Sequence, residues 1–165
     1  MTPSHTAVLQ RMPIFGALAQ QTLEFLVGRA RTAAVDSGAW FFREGEVASD
    51  VYVLESGRVE VVKAWQEREL RLCELGAGDC FGEMALIDLS PRSASVRALA
   101  PCRALRIGAG DLFALFERDA EQFALIQMNL AREMSRRLRA TDEQLFRLWA
   151  GAEATVTAPP DFRAA

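Results

Sequence analysis

Between residues 32 and 107 the chain is written in short runs closed by turns, and few folds accept that pattern. The runs Thr32–Val35, Ala39–Arg43, Val51–Glu55, Arg58–Trp65 and Glu69–Leu75 carry many alternating apolar residues. Between them stand Asp36-Ser37-Gly38, Glu44-Gly45-Glu46, Ser56-Gly57 and Gly76-Ala77-Gly78-Asp79. A period of two places alternate side chains on one face, and each turn reverses the chain. Strands at this spacing close into an antiparallel sandwich, roll or barrel. After Asp79 a short apolar stretch, Phe81–Ile87, reads as one or two helical turns, and two further runs follow at Ser93–Leu99 and Arg103–Ile107.

Helical periodicity brackets this β block. Over residues 7–30 Leu9, Met12, Phe15, Leu18, Leu23 and Leu26 suit a helix, with Pro13 and Gly16 breaking the run into pieces. From Ala109 the period is helical again. Asp111 can cap a first short helix, and a turn near Arg118–Asp119 separates it from a long second one over 120–149. The expected class is α+β, with one core and no internal repeat or linker. Four segments follow: an N-terminal helical segment over 1–30, a β-roll over 31–108, C-terminal helices over 109–149, and a tail over 150–165. The tail holds Pro159-Pro160 among small residues and is expected to be disordered.

Composition removes several chemistries. A chain of 165 residues suffices for one domain but not for a large two-domain enzyme. Its formal net charge of −3 gives no general attraction to nucleic acid or to an anionic membrane. The single histidine, His5, lies in the terminus, which disfavours a histidine base or a multi-histidine metal site. Cys73, Cys80 and Cys102 are odd in number and form no C-x-x-C pair, so they read as reduced and mostly buried thiols. No apolar run approaches the roughly 18–20 residues of a membrane span, and no signal pattern opens the chain. The expected location is the cytoplasm, with no nucleophile–base pair or metal cluster to make the chain an enzyme.

The chemistry concentrates at residues 81–96, FGEMALIDLSPRSASV. Gly78 and Gly82 bracket a turn that opens a short helix, and a helix start offers unpaired N–H groups to an anion. Arg92, ten residues beyond Gly82, can supply a bidentate pair to a phosphate, with the Ser93 hydroxyl beside it. Glu83 can accept hydrogen bonds from ribose hydroxyls. On its own it reads as an exposed carboxylate favoured by the helix start. A P-loop lysine signature and an acidic pair for Mg²⁺ are both missing.

This stretch resembles the phosphate-binding cassette of the cyclic nucleotide-binding domain family. The upstream FFREGEVASDVYVLESGRVEVVK, with Gly45 and Gly57 at its turns, is similar to that family's strand–turn–strand signature. The resemblance covers about residues 10–149. It implies an eight-stranded antiparallel β-roll, jelly-roll-like, with a long C-terminal helix acting as a lid. It also implies a ligand site in which Gly82, Met84 and Ala85 line the cyclic phosphate and sugar, Glu83 takes the ribose 2′-hydroxyl, and Arg92 and Ser93 take the phosphate. Within the family, RRLRATDEQL over 136–145 is similar to the long helix of the bacterial catabolite activator proteins. That likeness adds Arg137, Thr141 and Asp142 near the base, Asp142 replacing a serine. It favours cyclic AMP as the ligand, with cyclic GMP as the alternative, and no other cofactor.

Met134, Leu138, Thr141, Leu145 and Leu148 step by four, three, four and three, an a/d seam over about two heptads. With the resemblance, this favours a homodimer through 120–149; the plain alternative is a stripe packed on the chain's own roll. Only sixteen residues follow Trp149, holding a single arginine, Arg163, so DNA reading is not expected. The leading expectation is a stand-alone cyclic nucleotide-binding regulator that signals to an unidentified effector protein. Its rivals are a constitutive dimer that does not answer to nucleotide, and a regulatory fragment of a larger transcription factor or membrane protein.

Overall fold

Strand β3 (Asp50–Ser56) shows how the layers are arranged, because five successive residues of it are buried. Alternation sends Tyr52 and Leu54 to one face and Val51 and Val53 to the other, and each face meets its own core. The computed structural model describes Thr6, residues 9–66 and residues 68–152. Among these, β1 (Arg31–Val35), β2 (Trp40–Phe42), β3, β4 (Arg58–Trp65), β5 (Arg68–Gly76), β6 (Cys80–Phe81), β7 (Ser95–Ala98) and β8 (Cys102–Gly108) form two four-stranded sheets. One has the order β1-β8-β3-β6 and the other β2-β7-β4-β5, with every pairing antiparallel. The eight-stranded roll implied by the cassette is present.

The sheets enclose Phe42, Leu54, Val59, Phe81, Val96 and Ala98. Four aromatic rings organise this interior. Phe41 meets Tyr52 and Phe81 edge-on at 5.4 and 5.0 Å, and Tyr52 stacks on Phe81 at 5.3 Å. Such pairs each contribute about 0.5–1.5 kcal/mol beyond area burial. Phe41 and Phe42 both pack into this core because the β2–β7 register shifts between Trp40 and Phe42. Core packing thus accounts for both rings, while Trp40 lies under the guanidinium groups of Arg43 and Arg97 at 4.0 and 4.8 Å.

A second core lies on the other face of the first sheet. Val51, Val53, Leu105 and Ile107 pack there with residues of α1 (Gln20–Arg29), α3 (Ala109–Arg118) and the start of α4 (Ala120–Ala152). Among the described residues, 10–30 hold a 3₁₀ turn at Pro13–Phe15 and the helix α1, divided as Pro13 and Gly16 require. Asn129 ties that turn to α4, donating to the Ile14 carbonyl at 3.1 Å and the Gly16 carbonyl at 2.8 Å. Asp111 caps α3 by accepting from the Gly108 N–H at 3.0 Å. Of the thiols, Cys80 and Cys102 are buried and Cys73 is exposed.

The chain divides into two compact units, Met1–Leu130 and Ala131–Ala165. The first holds both sheets. The second contains the last part of α4, whose Leu138, Leu145, Phe146 and Leu148 are exposed. The tail expected to be disordered over 150–165 begins instead as helix, since α4 continues through Ala152; residues 153–165 and the terminal segment with His5 lie outside the described residues. No helix among the described residues is long and apolar enough to cross a membrane.

Candidate functional site

Gly82 joins β6 to the short helix α2 (Glu83–Ile87) with a φ of +81°, a left-handed conformation that favours glycine. Space is equally restrictive. A Cβ at Gly82 would lie 2.5 Å from Nη1 of Arg92 and 3.3 Å from the Phe42 ring. Glu83 opens the helix and is 5% exposed, so it is a buried carboxylate rather than the solvated one its position alone suggests. Ala85 is buried behind it and Met84 is exposed. Five residues make little more than one turn, so α2 sums almost no macrodipole. The capacity for an anion therefore rests on Arg92.

Arg92 is pinned at its backbone to the turn between β2 and β3. Its N–H donates to the Glu46 carbonyl at 2.9 Å, and its carbonyl accepts from the Gly45 N–H at 2.9 Å. From there the side chain enters the roll and is 3% exposed. Its guanidinium lies 4.0 Å from the Phe42 ring centre and 5.8 Å from that of Tyr52. Nη1 donates to the carbonyls of Asp50 and Gly82 at 2.8 and 2.7 Å, and Nη2 donates to Oδ1 of Asp50. A guanidinium has five N–H donors in a fixed plane. Three are used along the Nη1/Nη2 end; Nε is buried with no partner. A buried charged donor left unmade costs about 1–3 kcal/mol or more. The unsatisfied Nε and the remaining Nη2 hydrogen share one edge of the plane, with the spacing that suits two phosphate oxygens.

Asp50, 6% exposed, is the acid that holds this arginine. Its Oδ2 accepts from Arg106 on β8, so one carboxylate sits between two guanidinium groups. That hydrogen bond raises the already high pKa of Arg106. Burial pushes the Tyr52 phenol above its ordinary value, and the Asp50 charge pushes it further the same way. Ser93, exposed, touches Met84 Sδ through its hydroxyl at 3.5 Å, while its carbonyl accepts from Lys63 at 3.1 Å. Ser95, two residues on, accepts from the Glu44 N–H at 2.8 Å, a bond that ties β7 to the turn after β2.

The structure thus brings Gly82 and Arg92 into direct contact, and Met84 with Ser93, while Glu83 and Ala85 are buried on the same helical turn. Arg137, Thr141 and Asp142 belong to the second unit. There Arg137 pairs with Glu133 at 3.4 Å, Thr141 Oγ1 donates to the Arg137 carbonyl at 3.0 Å, and Asp142 is exposed. Asp50 and Arg106 are the site residues that sequence reasoning missed. The signal available was alternation: Asp50, two before Tyr52, must share its inward face. Among the described residues no three His, Cys, Asp or Glu side chains gather as a metal would require.

Residues 33–119 match the family described as the cyclic nucleotide-binding domain. The chain belongs to this family. The cyclic nucleotide-binding domain here is 33% identical over 136 residues to the cyclic AMP receptor protein of Thermus thermophilus, covering 81% of this chain and 60% of that protein. The solved structure of the catabolite activator protein from that organism superposes with a TM-score of 0.72 at 31% identity, covering 82% of this chain and 62% of the other. A 90-residue stretch, 54% of this chain, is 38% identical to 10% of a cGMP-dependent protein kinase of Plasmodium berghei. The chain therefore matches less than two thirds of the length of these curated relatives, 60% of the first and 10% of the second.

Proposed function

We propose that this cyclic nucleotide-binding regulatory domain takes cyclic AMP, with the phosphate on the unpaired edge of Arg92. The observation that carries this reading is the buried, unsatisfied Nε of a guanidinium whose other edge is already occupied. A monoanionic phosphate diester supplies the two oxygens this edge lacks, and the binding stabilises a donor that otherwise costs free energy. Seating the phosphate parts the Met84–Ser93 contact and frees the Ser93 hydroxyl for a third bond. Glu83 then accepts from the ribose 2′-hydroxyl, with Gly82 and Ala85 beside the sugar-phosphate ring.

The preference for cyclic AMP draws on the name of the Thermus relative and on Thr141 and Arg137, which we place at the base with Asp142. Cyclic GMP is the competing ligand, since a cGMP-dependent kinase also matches this region. Binding moves the helices over 109–149 only insofar as the ligand has higher affinity for the closed arrangement. We place a homodimer on residues 120–149, where Leu138, Leu145, Phe146 and Leu148 leave apolar surface in water. The signal passes to an effector protein in the cytoplasm. Calorimetric titration with cyclic AMP and cyclic GMP, beside Arg92→Ala, tests the reading. Sub-millimolar binding of cyclic AMP that is lost in the variant supports it; absence of binding by either nucleotide, or an Arg92→Ala protein that binds as wild type does, defeats it.

A further inference from the structure

We propose that Arg106 sets the charge the ligand phosphate meets, by neutralising the carboxylate that grips Arg92. The inference rests on the assignment of Arg92 to the phosphate. Asp50 and Arg92 alone make a closed, neutral ion pair, and a buried one. An anion approaching such a pair is attracted by one partner and repelled by the other. Arg106 changes the balance by taking Oδ2 of Asp50 while Arg92 holds Oδ1. The three groups together carry one positive charge, which a cyclic phosphate diester neutralises.

The placement of Arg106 is not what sheet stability alone selects. On β8 it stands in register with Tyr52 on one side and with Arg31 of β1 on the other. Like charges opposite one another across a ladder are unfavourable. Arg31 is exposed, and Arg106 turns to Asp50, remaining 47% exposed on its side chain. It is therefore a positioning residue at the margin of the site, reachable by solvent and not part of either apolar core. Removing it leaves Asp50 still paired with Arg92, so the fold keeps its buried ion pair and only the net charge of the site falls.

The test is a calorimetric series on the whole chain with cyclic AMP, using Arg106→Met, Arg106→Lys and the double variant Asp50→Asn/Arg106→Met. One unit charge beside a partly buried anion site changes affinity by roughly tenfold. Arg106→Met is expected to weaken binding by about that factor, and Arg106→Lys, which keeps the charge, to stay within about threefold of wild type. The double variant removes the acid together with its neutraliser while Asn keeps an acceptor for Arg92. Its affinity is expected to return to within about threefold of wild type. Should Arg106→Met fail to fold, Arg106→Gln takes its place. Unchanged binding in the neutral variant overturns the inference, and so does a double variant no better than Arg106→Met, the result of a merely structural role. A wild-type protein that binds neither cyclic AMP nor cyclic GMP overturns the phosphate assignment as well, which separates the two failures.

Discussion

Replacing Gly82 by alanine perturbs the site at its tightest point, and the cost can be worked from two contributions. A φ of +81° costs an L-residue about 1–2 kcal/mol. The new Cβ would also stand 2.5 Å from Arg92 Nη1 and 3.2 Å from its Cζ. That nitrogen already serves the carbonyls of Asp50 and Gly82, so the guanidinium cannot shift without losing a charge-assisted bond, at about 1.5–3 kcal/mol. Together the substitution destabilises by about 3–5 kcal/mol, or roughly 6–20 °C in melting temperature. Gly45→Ala is the control, since φ there is +84° but nothing lies within 4 Å of the added carbon. It is expected to cost only the backbone contribution. Urea unfolding of both variants, followed by cyclic AMP titration, separates strain from clash. Nucleotide affinity should fall at least about tenfold in Gly82→Ala and stay unchanged in Gly45→Ala. Equal stability losses in the two variants would refute the close approach of Arg92 to this turn.

Three further outcomes follow from the same structure. Tyr52 is the single tyrosine of the chain, so phenolate absorbance reports it alone; its midpoint in the folded protein is expected above the ordinary 10.0 and to return there in concentrated urea. Because the folded-state pKa is the raised one, the associated stability is complete below about pH 10 and is lost as pH rises through the folded-state value, a loss that Tyr52→Phe should abolish. Asn129→Ala removes the bonds to the Ile14 and Gly16 carbonyls and is expected to cost about 1–3 kcal/mol in urea unfolding, against no change if the 3₁₀ turn were held by packing alone. Leu138→Glu is expected to shift sedimentation toward the monomer; an unchanged sedimentation coefficient counts against the helix as the dimer seam.

How much of this was legible in the sequence depended on whether the constraint was local. The cassette was readable because Gly82, Glu83 and the Pro91-Arg92 pair are fixed by turn geometry and spacing within sixteen residues, 81–96. Strand β3 was readable as a short apolar run closed by turns, β4 from apolar alternation, and the long helix from its period. The two-residue strand β6 merged with the apolar stretch that follows it, because nothing within Cys80–Phe81 distinguishes a strand from a helix start. Burial of Glu83 escaped a reading of the residues alone, since a carboxylate at a helix start is ordinarily solvated. The clasp of Asp50 was hidden for a different reason. Asp50 and Arg106 are 56 residues apart, and only the β3–β8 register, which sets Tyr52 opposite Arg106, brings them together. Alternation marks Asp50 as inward-facing but not its partner; Arg106 alone reads as a solvent-facing charge on a strand, and the pairing is a property of the sheet.

The most direct measurement is the signal of one proton. In a nitrogen-15 arginine-labelled sample, the Nε–H resonance of Arg92 can be assigned by its loss in Arg92→Lys and followed during addition of cyclic AMP. A phosphate on the unpaired edge of the guanidinium shifts that resonance in proportion to occupancy, ending at saturation in a hydrogen-bonded position. A resonance that stays in place while the nucleotide saturates the protein contradicts the assignment of the phosphate to Arg92.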